Sequence, residues 1–189
     1  TLAQIRAYKL KAPYGRISKE TVPTFQEFLK VVKGKIMVDV DMKTDNVAGL
    51  VKAVREFGMG KEVFYFDNDY DQLDEIRALD KMAQLMPRAY SLKMADSSLV
   101  KFKPSVVHID SNFNTKEVGD LLKNKPNAKV LDMGSAPFYT ALALQNMGYD
   151  LTATDISLKR FGNLIEKADL NVIKCDFEKE VEIIKDYFL

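Results

Sequence analysis

The sequence predicts an α/β protein built on parallel β-sheet, and three features of the chain point there. Short runs rich in β-branched and aromatic residues alternate with stretches of helical periodicity almost from end to end. Those runs are apolar on both faces, as strands buried between helices must be. Strand–helix–strand order, repeated, makes right-handed βαβ units and therefore a parallel sheet.

The strands expected in chain order are 35–41, 62–66, 84–90, 105–110, 129–133, 149–155 and 171–176. Between them lie the helices. Thr24 caps one that carries Phe25, Phe28, Leu29 and Val32, with Glu27 as the capping-box partner. Residues 71–85 place Leu73, Ile76, Leu79 and Met82 on one face at helical spacing. Spans 114–123, 138–147, 158–167 and 177–188 read the same way. The candidate seam is 123–128, where Pro126 stands among polar residues. An ordinary helix-to-strand loop reads equally well there. Divided, the chain is 1–127 and 128–189; undivided, it is one continuous α/β domain.

The 189 residues carry 28 Lys and Arg against 27 Asp and Glu. That balance excludes a strongly basic nucleic-acid binder and an acidic tail protein, though not a local patch. With 47% hydrophobic and 29% charged residues the chain reads as folded rather than disordered. No apolar run reaches the roughly 20 residues of a membrane span. The first residues lack the apolar core of a secretory signal. The chain does not open with Met, as expected of a processed, trimmed or excised polypeptide. Cys175 is the single cysteine and His108 the single histidine. An internal disulfide, a Cys-based metal cage and a two-histidine mechanism within one copy are thereby excluded. A reducing, cytoplasmic home is expected.

Two constellations carry chemistry. In the first, residues 22–43, Pro23 and Thr24 open a helix, Gly34 ends it, and a strand runs into Asp39, Asp41 and Lys43. Alternate residues of a strand share a face, so these three side chains point the same way. The C-terminal ends of parallel strands are where α/β folds place ligands. Two carboxylates can hold a hard divalent cation, and the lysine can meet a phosphate oxygen. An Asp–Lys ion pair in a strand-end loop is the plainer reading of the same spacing.

The residues VPTFQEFL followed by Asp41-Met42-Lys43 resemble the glycerophosphodiester phosphodiesterase family, a TIM-barrel family. That family has an IPTLEE-L helix and then a strand ending acidic-x-Lys. The likeness continues through VFYFDNDYDQLDEIRAL, LMPRAYS and VVHIDSNFNTKEVGDLL, and covers about residues 1–122. It implies a partial TIM barrel with Asp41 as a metal-binding carboxylate and Asp39 beside it. It also implies Lys43 as the phosphate-side catalytic residue, Mg or Ca as cofactor, and a small phosphodiester as ligand. The family's His-Arg-Gly, Glu-x-Asp and His-Asp motifs do not occur in this sequence. His108 matches neither motif histidine and reads as a strand-end histidine. Cleaving a phosphodiester needs a proton donor at the leaving oxygen, so this chain is expected not to hydrolyse glycerophosphodiesters. A full (β/α)₈ barrel takes about 250 residues, and this chain is short for one.

In the second constellation an apolar strand runs into Asp132-Met133-Gly134-Ser135-Ala136-Pro137, a second strand ends in Asp155 and a third in Asp176. Small residues let a ligand approach the backbone, and a strand-end acid can accept from ribose hydroxyls. VLDMGSAP, LTATDIS and NVIKCDFE, within residues 129–180, resemble the opening half of a class I S-adenosylmethionine-dependent methyltransferase. By that resemblance Asp132, Gly134, Asp155 and Asp176 bind S-adenosylmethionine or a nucleotide-like ligand in a Rossmann-like segment. At the turn, Ala136-Pro137-Phe138 replaces the usual second and third glycines. GYDLTATDIS also fits the last strand of a phosphodiesterase barrel. A non-catalytic or chimeric α/β protein is the remaining alternative. Open sheet edges predict a homodimer. All readings share one expectation: Asp41, Asp132 and Asp155 converge on a common rim.

Overall fold

The computed structural model describes residues 1–11, 17–109, 115–123, 125, 127–159 and 161–175. Helix α1, Leu2–Ala7, buries no residue, and Arg6 ties it to Glu27. Helix α2, Phe25–Val32, starts at the expected capping box. Thr24 Oγ1 accepts from the Glu27 amide at 3.2 Å, and the Glu27 carboxylate accepts from the Thr24 amide at 2.8 Å. Leu29 and Val32, one turn apart, form its buried face. Gly34, at φ +71, closes it, and its amide donates to Glu62 at 2.6 Å.

Strand β1, Val38–Asp41, alternates buried and exposed residues. There follow α3 (Val47–Glu56), β2 (Val63–Asp67), α4 (Tyr70–Leu79), β3 (Gln84–Ala89), α5 (Leu92–Phe102) and the two-residue β4 (His108–Ile109). All pairings are parallel and the order is β1-β2-β3-β4. Strand order that follows chain order is what a barrel requires, whereas a doubly wound sheet reverses at a switch point. This half is therefore a curled, partial TIM-barrel-like sheet. Val38, Val40, Val63, Tyr65 and Leu85 turn toward the helices and bury with Leu29, Val51, Leu73 and Ile76. Each such side chain contributes about 1.5–3 kcal/mol by leaving water.

Several elements depart from the expected plan. Helices α1, α3 and α5 were not anticipated. The 71–85 helix stops at Leu79, because the Asp80 carboxylate accepts from the Met82 amide at 2.9 Å in a turn that ends it. Met82, expected on the buried face, is 84% exposed, and Gln84 opens β3. Strand 105–110 contracts to His108–Ile109, while Asp110, Asp176 and the 177–188 helix lie outside the described residues.

The second sheet is also parallel, with order β5-β6-β7: β5 (Lys129–Met133), β6 (Asp150–Asp155) and β7 (Val172–Lys174). Helices α6 (Thr115–Leu122), α7 (Tyr139–Asn146) and α8 (Gly162–Ala168) supply its cover. Val118, Leu122, Ala141, Leu144, Leu151 and Ala153 form a separate buried cluster. That cluster recruits α6, and Tyr149 donates its hydroxyl to the Gly119 carbonyl at 2.9 Å. Its packing thus begins before the candidate seam at 123–128. Ile109, at the end of the first sheet, packs against the same cluster.

Candidate functional site

At the C-terminal end of β1 the sequence has placed its acids where the pleat sends them away from the core. Val40 and Met42 are buried toward the helices, so Asp39, Asp41 and Lys43 share the opposite face. Lys43 Nζ donates to Asp41 Oδ1 at 2.6 Å, and both side chains remain largely solvent-exposed. The three residues border a cleft of about 350 Å³ along the β1 edge. Phe25 and Phe28 of α2 and Leu50 of α3 form its apolar wall. The Asp39 carboxyl is pushed up to about 6, first by the desolvation imposed by its surroundings and then by the neighbouring Asp41 charge. A second positive or divalent charge at this place would relieve that repulsion. Oxygen-only donors suit a hard cation, yet two carboxylates complete only part of its shell. Among the described residues no group of three or more His, Cys, Asp or Glu comes together as a metal site.

The second constellation is built differently. Asp155 accepts from the Ala136 amide at 3.2 Å and from the Ser157 amide at 3.0 Å. Asp132 accepts from the Ser135 hydroxyl at 2.6 Å. Gly134 turns the chain at φ +66. The Ser135 amide donates to the Thr154 carbonyl at 3.0 Å and the Phe138 amide to the Ser135 carbonyl at 2.6 Å, while Pro137 has no amide hydrogen. Every amide from Ser135 to Phe138 is thus spent inside the protein. Phe138 itself is fully buried, its ring edge-on to Phe161 at 5.7 Å. The departure from glycine at this turn closes it: the Ala136 amide is spent on Asp155 and the Ser135 hydroxyl on Asp132, instead of being presented to a ligand.

The structure therefore brings Asp39, Asp41 and Lys43 together in one cleft, and Asp132, Gly134 and Asp155 together in one turn. The expected common rim of Asp41, Asp132 and Asp155 is not formed at that cleft: these residues belong to two different sheets, and neither Asp132 nor Asp155 lines it. Two features of the cleft escaped the sequence reading. Phe28, on the helix that Thr24 caps, is 38% exposed and lines the cleft wall. Leu50 comes from α3, whose signal was Asn46, an N-cap accepting from the Gly49 amide at 3.0 Å.

No family model and no curated protein matches this chain. Solved structures do. A glycerophosphoryl diester phosphodiesterase from Parabacteroides distasonis superposes with TM-score 0.58 at 12% identity, over 98% of this chain and 62% of its own. A Galdieria sulphuraria protein assigned the same activity gives 0.54 at 10% identity, over 92% of this chain and 65% of its own. The glycerophosphodiester phosphodiesterase of Agrobacterium tumefaciens gives 0.51 at 15% identity, over 92% and 67%. The chain thus spans about two thirds of the length of the proteins it resembles. At these identities the likeness is one of fold. Coverage this high takes in both sheets, and it gives the methyltransferase resemblance no support. Among the described residues no helix is long and apolar enough to cross a membrane.

Proposed function

We propose that the chain binds a small phosphodiester of the glycerophosphodiester type at the β1 cleft. The observation that carries this reading is the placement of Asp39, Asp41 and Lys43 on one strand face, bordering a cleft with an apolar wall. Lys43 meets a phosphate oxygen, exchanging its exposed contact with Asp41 for the ligand. Asp39 and Asp41 would hold a divalent cation, Mg²⁺ or Ca²⁺, which supplies charge neutralisation of the phosphodiester when bound. Phe25 and Phe28 cover the alcohol portion and exclude water.

Hydrolysis is a separate matter. The family's histidine motifs do not occur in this sequence, so these residues by themselves are expected to bind with little or no turnover. In this reading residues 1–127 form the barrel segment and 128–189 continue the α/β fold. The edge of β1, which no strand among the described residues pairs, is offered to a second copy, and the setting is reducing, consistent with one buried cysteine.

The test is calorimetric titration of glycerophosphocholine in the presence of Mg²⁺ or Ca²⁺, beside an assay for released glycerol 3-phosphate. Saturable binding that weakens at least about tenfold in Lys43→Ala and Asp41→Asn supports the reading, since each removes a charge-assisted contact. Binding that ignores both substitutions contradicts it. Release of glycerol 3-phosphate above a metal-free blank would overturn the expected lack of turnover. A clean monomer in sedimentation at micromolar concentration would overturn the dimer.

A further inference from the structure

Charge is not spread evenly along this chain. Residues 1–22 hold five of its 28 Lys and Arg but only one of its 27 Asp and Glu, so the rest is acidic on balance. The fold sets those cations beside apolar side chains that no core covers. Lys11 and Ile17 face each other in an antiparallel bridge. The Leu10 carbonyl accepts from the Ser18 amide at 2.8 Å, and Lys9 Nζ donates to the Lys19 carbonyl at 3.3 Å, which holds the two arms together. Residues opposite each other in an antiparallel pair share a face, and alternate residues stay on it. Lys9, Lys11 and Lys19 therefore stand around Ile17, which is 74% exposed. Helix α1 adds a second apolar surface. It buries no residue; Leu2 and Ile5, one turn apart, are about half exposed, and Tyr8 beyond it is exposed as well. The Arg6–Glu27 pair fastens this segment to α2 and leaves the three lysines to face outward.

We infer that residues 1–11 and 17–22 dock on an anionic lipid surface. Single exposed apolar residues are ordinary, but four of them interleaved with three lysines have the make-up of a segment that lies in a membrane interface. The ammonium groups of Lys9, Lys11 and Lys19 meet the charged headgroups. Ile17, Leu2 and Ile5 enter the boundary between headgroups and acyl chains, and the Tyr8 ring, apolar in body and polar at its tip, stays at that level. Charge and hydrocarbon together select this partner. An acidic polypeptide or a nucleic acid would satisfy the lysines and leave Ile17 pressed against charge. A bilayer is the anionic surface with hydrocarbon directly beneath it. The attachment is to the surface: among the described residues no helix is long and apolar enough to cross a membrane.

The experiment is co-sedimentation of the full chain with lipid vesicles in excess chelator, which keeps the cation of the β1 cleft out of the result. Vesicles of phosphatidylcholine alone are compared with vesicles holding about 30% phosphatidylserine. Binding to the anionic vesicles is expected to be at least about tenfold tighter, and to weaken steeply as salt rises to about 0.5 M. Lys9→Glu, Lys11→Glu and Lys19→Glu together should abolish it. Lys52→Glu, Lys93→Glu and Lys159→Glu together change the net charge equally at exposed sites elsewhere, and should leave most of it. Ile17→Ser, which alters no charge, should weaken binding at least about fivefold. The inference is overturned if the wild-type chain does not sediment with anionic vesicles, or if the first triple variant binds as wild type does. It is overturned equally if the second triple variant loses as much binding as the first, or if Ile17→Ser has no effect. Should a triple variant misfold by circular dichroism, Ile17→Ser and the salt series decide.

Discussion

Asp41 and Asp155 hold the same position in their strands, the last residue of a parallel β-strand, yet they have opposite fates. Asp41 meets one side chain, the exposed Lys43, across 2.6 Å. Asp155 accepts two backbone amides, from Ala136 and Ser157. A ligand can displace a solvated lysine at small cost, because exposed ion pairs are worth about 0–1 kcal/mol. It cannot displace two amides that have no other partner without orphaning them. A strand-end acid therefore signals a ligand site only when its lone pairs are not already committed to the turn that follows.

The largest effect separates the two cores. Leu73 and Leu144 are both fully buried, in different clusters. Truncating either to Ala should cost about 3 kcal/mol. Hydrogen exchange should show Leu73→Ala loosening β1 to β4 and Leu144→Ala loosening β5 to β7. If either substitution releases both sheets together, the division into two cores fails.

Next in size is the contrast between the acids. Asp155→Ala should lower stability by about 2 kcal/mol in urea unfolding, because it strands two amides. Asp41→Ala should stay within about 0.5 kcal/mol, as surface substitutions do. Saturable S-adenosylmethionine binding, abolished by Asp155→Ala in a protein of unchanged stability, would sink the view that Asp155 is structural.

Asp39 and Glu27 test the first region by pH, with opposite signs. The folded Asp39 carboxyl sits at about 6, above its ordinary value. The native state then binds more protons than the unfolded one between about pH 4 and 6, so this contribution is lost as pH rises through that window. Asp39→Asn should remove the slope and stabilise the protein at pH 7 by about 1 kcal/mol, the full shift being discounted for the solvent that reaches the side chain. Glu27 is held down to about 2, chiefly by the Arg6 guanidinium and then by the Thr24 amide. Its contribution is present above about pH 4.5 and falls away as pH drops toward 2. Arg6→Ala should flatten that acid limb, the smallest of these effects, without altering the pH 4–6 slope.

Much of this was readable beforehand where one rule decides locally. The Thr24–Glu27 box needs only four residues, and β5 runs from Lys129 to Met133 as its apolar pattern says. Alternation alone put Asp39, Asp41 and Lys43 on one face. Helix α4 was overrun because Met82 continued the helical spacing, and the Asp80 turn that breaks it competes through a side chain that periodicity ignores. The commitment of Asp155 to Ala136, nineteen residues away, is a tertiary contact that no spacing rule contains.

The most direct measurement follows backbone amide resonances while Mg²⁺ and then glycerophosphocholine are added. The account predicts shifts that saturate at residues 39–44 and at Phe28, with the turn at 134–138 and Asp155 unmoved. Shifts centred on that turn, or none at residues 39–44, would contradict it.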